Sequence, residues 1–546
     1  MNFASLLNSF KFLQNSELIE NLLEKEDLKL EEVLDANEEA IMEVKKGNQK
    51  LINFLVPSHL DKLIDYITLE PQDTSNHNQC YKYPFVSNEI LNSECHELLN
   101  TFCADKTFLN HLFKFLDADL PSNLILAGYF SRTLHSLLMR NSYELLSYLY
   151  DVNEYGKALT KHLYSKSICD ILERILGCEN HKNPAFKSEL FEVIELILEN
   201  VSSTKSPEAA INASTLLANL ITKTSEVSCA LDIADYLSGD EKIVTLLFDR
   251  LFNDEFHVSR GAALIIQALI NNILAKDAEE ENSIEDDTIP LIDYMVNNFN
   301  KFTESLRKKP NMALKCANKV EFIPLGEFRL RIIEILGAMI RLPYENLKEK
   351  IAESDSIPII TELFSEYRWN SLLHSAYERL VKNILISSHS KLKDALLIKG
   401  DLPTTLIKFS IASNERDFRI GLMGHVTRIG NTLVKHLSGT FISEDWNTFT
   451  ERYLSLQNEM ESRVLGGRSR IMSFDLTDHF MDSNSDKNQD SMFDNIDYNF
   501  EKNNAIQEEE IEHEEINEQP QAVSVDEFSS INFWKIKVMQ PVEDLE

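Results

Sequence analysis

Apolar residues recur every three or four positions through the middle of the chain, with polar residues between them. Four successive segments of residues 188–275 show this spacing, and their apolar positions are Leu190, Phe191, Ile194, Ile197, Leu198 and Val201; Ala210, Ala213, Leu217 and Leu220; Ile243, Leu246, Leu247 and Leu251; and Val258, Ala262, Ile265, Ile266, Leu269 and Ile273. A strand would alternate with period two, whereas this spacing places the apolar side chains on one face of a helix. The pattern therefore predicts four helices.

Two of these helices carry residues that favour a helix start. Ser206 can accept hydrogen bonds from first-turn amides, and Pro207 suits the first helical position because its missing N–H is not needed there. Asp240 is placed to cap the helix that begins before Ile243. We therefore expect helices to begin at these two points.

A pair of such helices with its turns takes about 40 residues, the period of armadillo and HEAT repeats. One pair cannot bury its apolar face alone, so neighbouring pairs must stack into a solenoid. Only 15 glycines and 14 prolines occur among 546 residues, which also favours helices over hairpins. We predict an all-α, diverged armadillo/HEAT-like solenoid over residues 1–470.

The C-terminal part has a different composition. Residues 471–546 hold 20 Asp/Glu and 4 Lys/Arg, a net charge of −16, which leaves −18 for the rest of a chain whose net charge is −34. A segment this charged and this poor in large apolar residues cannot form a core, so we predict an acidic, mostly disordered tail. An aromatic segment near 528–538 breaks the trend, and it either docks on the solenoid or binds a partner.

Two serines of this tail are candidate phosphorylation sites. Ser483 and Ser491 each have an aspartate three positions later, as acid-directed kinases prefer. Plain solvated serines are the alternative interpretation.

Charge and motifs limit the possible functions. A strongly acidic chain repels nucleic acid and anionic membranes, so we expect neither as a partner. The seven cysteines form no C-x-x-C pair, which is typical of a reducing compartment rather than of disulfides or zinc. Phosphate-binding glycine loops, H-E-x-x-H and G-x-S-x-G are absent from the sequence, and we expect no cofactor, no membrane span and no enzyme activity. We expect a cytoplasmic protein, with the nucleus left open as a second location.

Two charged segments lie in the second half of the predicted solenoid. Residues 276–289 are acidic and lack apolar periodicity, so we predict a solvated loop there. A basic patch follows, made of Arg307, Lys308, Lys309, Lys315 and Lys319. It is either a site for an acidic partner or a solvated helix end.

Several strings, in order along the chain, resemble the SAPS family of phosphatase-associated proteins. They include Ala127-Gly128-Tyr129-Phe130-Ser131-Arg132, Leu325-Gly326-Glu327-Phe328-Arg329-Leu330, Tyr367-Arg368-Trp369-Asn370-Ser371-Leu372-Leu373-His374 and Gly424-His425-Val426-Thr427-Arg428-Ile429-Gly430-Asn431. With further strings on both sides, the resemblance covers roughly residues 16–470. It implies a non-catalytic regulatory subunit that binds the catalytic subunit of a type-2A-like Ser/Thr phosphatase of the phosphatase-six class, with a further scaffold subunit or substrates as additional partners.

The strings supply candidate partner-binding residues, which are Arg329, Tyr367, Trp369, Asn370, His374, His425, Thr427 and Arg428. Taken alone, an aromatic residue such as Trp369 at a helix end also fits packing between repeats, and His425 with Arg428 also fits an ordinary solvated pair. The alternative function is a transport-type armadillo or HEAT adaptor that holds basic peptides on an acidic face. An unrecognised hydrolase is the third interpretation, and it would need a pocket with convergent titratable groups.

Overall fold

A computed structural model of the chain describes residues 18–71, 73–117, 123–151, 155–177, 187–223, 231–279, 289–310, 313–315, 321–414, 421–437 and 443–462. All of them belong to the first of two units, residues 1–465. The predicted tail over 471–546, with Ser483, Ser491 and the aromatic segment near 528–538, lies outside the described residues, as does Lys319.

Helices make up almost all of the described structure. The first half contains α1 (Leu30–Asp35), α2 (Glu38–Lys45), α3 (Gln49–Leu55), α4 (Leu60–Thr68), α5 (Tyr83–Leu91), α6 (His96–Ala104), α7 (Lys106–Phe113), α8 (Leu124–Arg140), α9 (Ser142–Asp151), α10 (Tyr155–Thr160), α11 (Lys166–Leu176), α12 (Lys187–Glu199), α13 (Pro207–Lys223), α14 (Leu231–Gly239), α15 (Glu241–Leu251) and α16 (Phe256–Glu279). The second half contains α17 (Pro290–Asn297), α18 (Phe299–Arg307), α19 (Glu327–Met339), α20 (Glu345–Glu353), α21 (Ser356–Glu366), α22 (Ser371–Ile386), α23 (Ser390–Asp394), α24 (Leu402–Asn414), α25 (Leu422–His436), α26 (Glu444–Thr448) and α27 (Ser455–Ser462). Short π-helical or 3-10 turns occupy Asn78–Lys82, Lys114–Asp117, Ala395–Lys399 and Phe449–Leu454.

Seven helices form a continuous ladder along the solenoid. They are α8, α11, α13, α16, α19, α22 and α25, and each packs against the next. We call them the ladder helices. Other helices stack beside them, as α15 does on α17, α17 on α20 and α18 on α21. This repeated stacking confirms the predicted all-α helical-repeat solenoid.

The predicted helix starts are confirmed. The Ser206 hydroxyl accepts the Ala209 amide at 3.2 Å before α13. The Asp240 carboxylate accepts the Lys242 and Ile243 amides at 2.9 and 3.0 Å before α15. These caps satisfy amides that have no partner within the helix, and each contributes about 1 kcal/mol.

The buried apolar residues form one continuous core from Ile19 to Leu454. The longest ladder helix, α16, crosses this core, and its stretch Phe256–Asp277 is long and apolar enough to span a membrane. However, 67% of that apolar stretch is buried within the fold, between α13 and α19. A helix inside a solenoid packs against a helix on each side, so α16 needs apolar residues on two faces, and this explains its long apolar stretch.

Two details differ from the sequence expectations. The predicted acidic loop at 276–289 was wrong at its start, because α16 continues to Glu279. A small antiparallel sheet also occurs, with Leu314–Lys315 (β1) paired to Glu321–Phe322 (β2). Periodicity could not reveal strands of two residues, since two positions define no period.

The described members of the basic patch are paired within the chain. Arg307 contacts Asp355 at 2.8 Å, Lys309 contacts Glu366 at 3.5 Å, Lys315 contacts Glu321 at 3.1 Å, and Lys308 pairs with Asp254. All of these side chains are exposed, so each pair contributes little to stability. The pairing favours the interpretation as a solvated helix end over a site for an acidic partner.

Candidate functional site

Arg329 is the buried centre of the segment that precedes and begins α19. Its side chain is 1% exposed. The guanidinium donates to the carbonyl oxygens of Leu325 at 2.6 Å and Pro324 at 3.1 Å, and to the Tyr367 hydroxyl at 2.9 Å. It also lies over the Tyr367 ring, 5.4 Å from the ring centroid. Arg329 therefore fixes the loop before α19 to the loop before α22.

Gly326 makes this loop conformation possible. It immediately precedes α19 with φ = 82°, in the left-handed region that side chains disfavour. A Cβ atom there would lie 3.0 Å from Cγ of Pro310. The glycine of the Leu325–Leu330 string is thus required by backbone geometry and close packing.

His374 holds the other end of the loop before α22. Its Nε2 donates to the Tyr367 carbonyl oxygen at 2.9 Å, and its ring is 1% exposed. Burial lowers the pKa of His374 to about 4, and the nearby His425 acts in the same direction, against the opposing effect of the hydrogen bond to Tyr367. His374 is therefore neutral near pH 7 and has a structural hydrogen bond.

His425 and Arg428 share one carboxylate on the neighbouring ladder helix. His425 Nδ1 donates to Glu378 at 2.6 Å, and Arg428 lies 3.6 Å from the same oxygen. The His374 and His425 rings are 5.5 Å apart between centroids. His425 and Arg428 therefore reach Glu378 from one face of α25, and Glu378 joins α22 to α25 through them.

Asn370 and Thr427 have local roles. The Asn370 side chain caps α22 by accepting the Leu373 amide at 3.0 Å. Thr427 is fully buried and donates to the Met423 carbonyl oxygen at 3.0 Å. Both contacts stabilise helix geometry, and neither needs a partner molecule.

Trp369 lies on the surface of the loop before α22. It is 71% exposed, and Leu372, at the start of α22, is 67% exposed. Both line a groove of about 1100 Å³ between the loops before α19 and α22, and Phe322 of β2 also lines it. Packing of Trp369 between repeats, the alternative that the sequence left open, is therefore wrong.

The structure thus brings most of the predicted residues into one region and separates them by exposure. Arg329, His374 and Thr427 are buried, whereas Tyr367, Asn370 and His425 are partly buried. Trp369 and Arg428 present the most surface. We call the surface formed by Phe322, Trp369 and Leu372 the apolar groove.

Leu372, Phe322 and Glu378 were missed from the sequence. Leu372 and Leu373 are adjacent in the string, and only one of them, Leu373, is buried. A helical wheel through α22 that places Leu373, Tyr377 and Leu380 on the core side would have put Leu372 outside. Glu378 gave no such signal, because its two partners are 47 and 50 positions away along the chain.

The described residues also include possible metal ligands and two buried thiols. Among the residues that the structure describes, no group of three or more His, Cys, Asp and Glu is placed to hold a metal ion. Burial raises the pKa of both Cys103 and Cys169 to about 12, which keeps these thiols protonated. The arrangement around the apolar groove is suited to binding a protein surface, since exposed aromatic and aliphatic side chains beside charged ones are typical of interfaces.

A protein-family model matches more than half of the chain. The model of the SAPS family, described as SIT4 phosphatase-associated protein, matches residues 134–350 and 344–463. The chain belongs to the SAPS family. The matched residues run from within α8 to the end of α27 and include the apolar groove.

Several curated relatives of this SAPS chain are named regulatory subunits of serine/threonine-protein phosphatase 6. It is 25% identical to serine/threonine-protein phosphatase 6 regulatory subunit 3-B of Xenopus laevis over an alignment of 588 positions, gaps included, which covers 95% of this chain and 66% of the relative. It is 27% identical over 470 residues to regulatory subunit 3 of Gallus gallus, covering 77% of this chain and 53% of the relative. The chain therefore spans between half and two thirds of the length of these relatives.

Among solved structures, it is similar to the crystal structure of Uso1-2, with TM-score 0.46 and 12% identity over 82% of this chain and 72% of that one.

Proposed function

We propose that this chain is a non-catalytic regulatory subunit that binds the catalytic subunit of a type-2A-like Ser/Thr phosphatase of the phosphatase-six class. The observation that carries the proposal is the match of the SAPS model along the ladder helices, together with relatives that are named phosphatase 6 regulatory subunits. Binding of such a subunit directs the phosphatase by restricting what reaches its active site. A further scaffold subunit or substrates would use other surfaces of the solenoid.

The apolar groove is the surface that we assign to the catalytic subunit. Trp369 and Leu372 expose 71% and 67% of their surface, which is costly for large apolar side chains unless a partner covers them. Tryptophan is also among the residues that contribute most to protein interfaces. The contacts of Arg329 and His374 beneath the loop hold Trp369 in place, so little conformational entropy is lost on binding.

Purified components test both parts of this proposal. The full-length chain and a phosphatase-six class catalytic subunit are mixed, and the dissociation constant is measured by isothermal titration calorimetry. The double variant W369A/L372A should weaken binding by about 2 kcal/mol, roughly 30-fold, as loss of a central aromatic contact does. Tyr143→Ala is the matched control, because Tyr143 is 75% exposed and lies on α9, away from the groove.

The possible results separate the function from the surface. Failure of the wild-type chain to bind any type-2A-like catalytic subunit would remove the regulatory function. Tight binding that W369A/L372A leaves unchanged would keep the function and reject the apolar groove. Equal losses from W369A/L372A and Tyr143→Ala would mean that the effect is not local.

The adaptor alternative finds less support in the ladder helices. An acidic face for basic peptides needs free carboxylates, yet Glu173, Glu327, Glu334 and Glu378 each pair with a lysine or an arginine. The seven ladder helices together contain 13 Lys/Arg and 8 Asp/Glu, a net charge of +5. This charge disfavours a basic ligand on that side of the solenoid.

A further inference from the structure

A second pocket lies on the ladder helices, between α16, α19 and α22. Its volume is about 310 Å³, and it opens to solvent. Its charged and polar lining consists of three arginines, one glutamate and three carboxamides, which are Arg331, Arg341, Arg379, Glu334, Gln267, Asn271 and Asn383. We call it the arginine pocket.

The arginine pocket has a local positive charge on a strongly negative chain. Three guanidinium groups face one carboxylate, Glu334, so the lining has a net charge of +2. The seven ladder helices together also carry a net charge of +5, whereas the whole chain has a net charge of −34. Such a concentration of positive charge favours an anionic ligand at this position.

Glu334 pairs with two of the arginines, Arg331 and Arg379. Arg331 Nη1 donates to one Glu334 oxygen at 2.9 Å, and Arg379 Nη2 lies 3.5 Å from the other. Arg331 also contacts Glu327 at 3.3 Å. Because one carboxylate cannot use all the donors of two guanidinium groups, several N–H groups remain for a ligand.

The third arginine and one carboxamide have unused capacity. The Arg341 side chain makes no hydrogen bond or ion pair with any residue that the structure describes, and it is exposed at the end of α19. The Gln267 Oε1 atom is shielded from solvent and has no hydrogen-bond partner in the described part of the chain. An unpaired buried oxygen costs free energy, and a ligand N–H could pair with it.

From these features we propose that the arginine pocket binds the phosphate group of a phosphoserine or phosphothreonine peptide. Planar guanidinium groups bind phosphate oxygens through paired N–H donors, more specifically than lysine does. Gln267 Nε2 already donates to Asn271 Oδ1 at 3.4 Å, which leaves the Asn271 Nδ2 donors for the C=O groups of a peptide main chain. The pocket therefore matches both parts of a phosphopeptide.

This ligand would be a substrate of the bound phosphatase, and that part of the inference rests on the proposed function. The arginine pocket and the apolar groove both include residues of α19 and α22, and Arg331 and Glu334 line both. A phosphopeptide held in the pocket would be close to a catalytic subunit bound at the groove. The local concentration of substrate near the phosphatase would then rise.

Fluorescence anisotropy with the purified full-length chain tests the pocket. The probe is a fluorescein-labelled pool of nonapeptides with a fixed central phosphoserine and random flanking residues, compared with the same pool containing serine. We expect the phosphorylated pool to bind at least about 10-fold more tightly, and the double variant R341A/R379A to lose that difference, because charge-assisted contacts carry it. The variant R132A/R140A is the control, since it removes two exposed arginines from another ladder helix, α8, and should change affinity less than about 2-fold.

Several results would overturn the inference. Equal binding of both pools, or equal losses from R341A/R379A and R132A/R140A, would mean that no phosphate site exists in this pocket. Inositol hexakisphosphate and a single-stranded oligonucleotide serve as further probes. If either probe loses binding in R341A/R379A while the phosphopeptide pool does not bind at all, the pocket takes another class of anion. Circular dichroism of each variant excludes unfolding as the cause.

The same variants separate this inference from the proposed function. R341A/R379A should bind the catalytic subunit as the wild-type chain does, because neither arginine lines the apolar groove. If the wild-type chain binds phosphopeptides but no phosphatase, the arginine pocket is retained and the substrate role fails. If it binds the phosphatase but no phosphopeptide, only the pocket is rejected.

Discussion

The segment from α19 to α25 has a buried side and an exposed side that differ in what they do. On the buried side, Arg329 and His374 hold the loops before α19 and α22 through hydrogen bonds to backbone oxygens and to Tyr367. On the exposed side, Trp369 and Leu372 project into the apolar groove. Residues of the strings Leu325–Leu330 and Tyr367–His374 therefore stabilise the fold on the buried side. Trp369 and Leu372, from the second string, form an exposed surface on the other side.

This difference changes how the family strings should be interpreted. Arg329, His374 and Thr427 resemble binding residues by type, yet their side chains are buried and already hydrogen-bonded. Substituting Arg329 or His374 would change partner binding only through the loop that carries Trp369, because both contact Tyr367. Stability and binding should therefore respond to different substitutions within one segment.

The largest loss of stability is expected from Arg329→Met. The substitution leaves the Leu325 and Pro324 carbonyl oxygens and the Tyr367 hydroxyl without their donor, and we expect a cost of about 3 kcal/mol. Arg428→Met is the matched control, because its guanidinium is 65% exposed and its ion pair is worth less than about 1 kcal/mol. Urea denaturation followed by circular dichroism measures both, and equal losses would contradict the distinction between the two sides.

The next effect concerns pH. Because the pKa of His374 is about 4 in the folded chain and about 6.5 when unfolded, the unfolded chain binds the proton more readily between these values. The stability from neutral His374 is therefore complete above pH 6.5 and is lost as pH falls towards 4. Between pH 7 and pH 5 the loss should be about 2 kcal/mol.

His374→Gln is the test of this pH effect, because glutamine can donate a hydrogen bond but does not titrate. Urea denaturation at pH 7 and at pH 5 should show a smaller difference for the variant than for the wild-type chain. An unchanged difference would assign the acid sensitivity to other groups, such as His162, whose pKa is also lowered by burial.

A smaller effect is expected at the glycine before α19. Gly326→Ala should destabilise the chain by about 1–2 kcal/mol, because φ = 82° is strained for alanine and Pro310 lies too close. Gly424→Ala is the control within α25, where a Cβ atom meets nothing within 4 Å. Alanine should there stabilise the helix by about 0.5–1 kcal/mol. Opposite signs in thermal unfolding are expected, and a loss at both positions would count against the strain at Gly326.

The smallest change in stability is expected for Trp369→Ala. With 71% of its surface exposed, Trp369 contributes little to the fold, and we expect a change within about 0.5 kcal/mol in urea denaturation. The same variant should weaken binding of the catalytic subunit, which calorimetry measures. A large loss of stability would instead mean that Trp369 belongs to the buried side.

Much of the fold could be predicted from the sequence, because local signals agree with it. The apolar spacing predicted α12, α13, α15 and α16, and Ser206 and Asp240 form the caps expected of them. The SAPS family was also predicted correctly from its strings. The exposure of the candidate residues could not be predicted, since buried and exposed residues such as Leu373 and Leu372 are neighbours in the same string.

The predicted tail, its two candidate phosphorylation sites and the aromatic segment near 528–538 stay predictions. So do the cytoplasmic location and the roles of the eight candidate residues in partner binding. The proposed experiments address the last of these, because each separates a change in binding from a change in folding.

The sequence by itself determined the helices, their starts and the family, because each depends on residues close together along the chain. Only the tertiary structure decided which side chains meet across repeats. Arg329 and Tyr367 are 38 positions apart, and Glu378 and His425 are 47 apart, yet each pair is in contact. The arginine pocket likewise depends on three helices that stack about one repeat apart. Stacking of repeats creates these contacts, and no local pattern in the chain records which faces will touch.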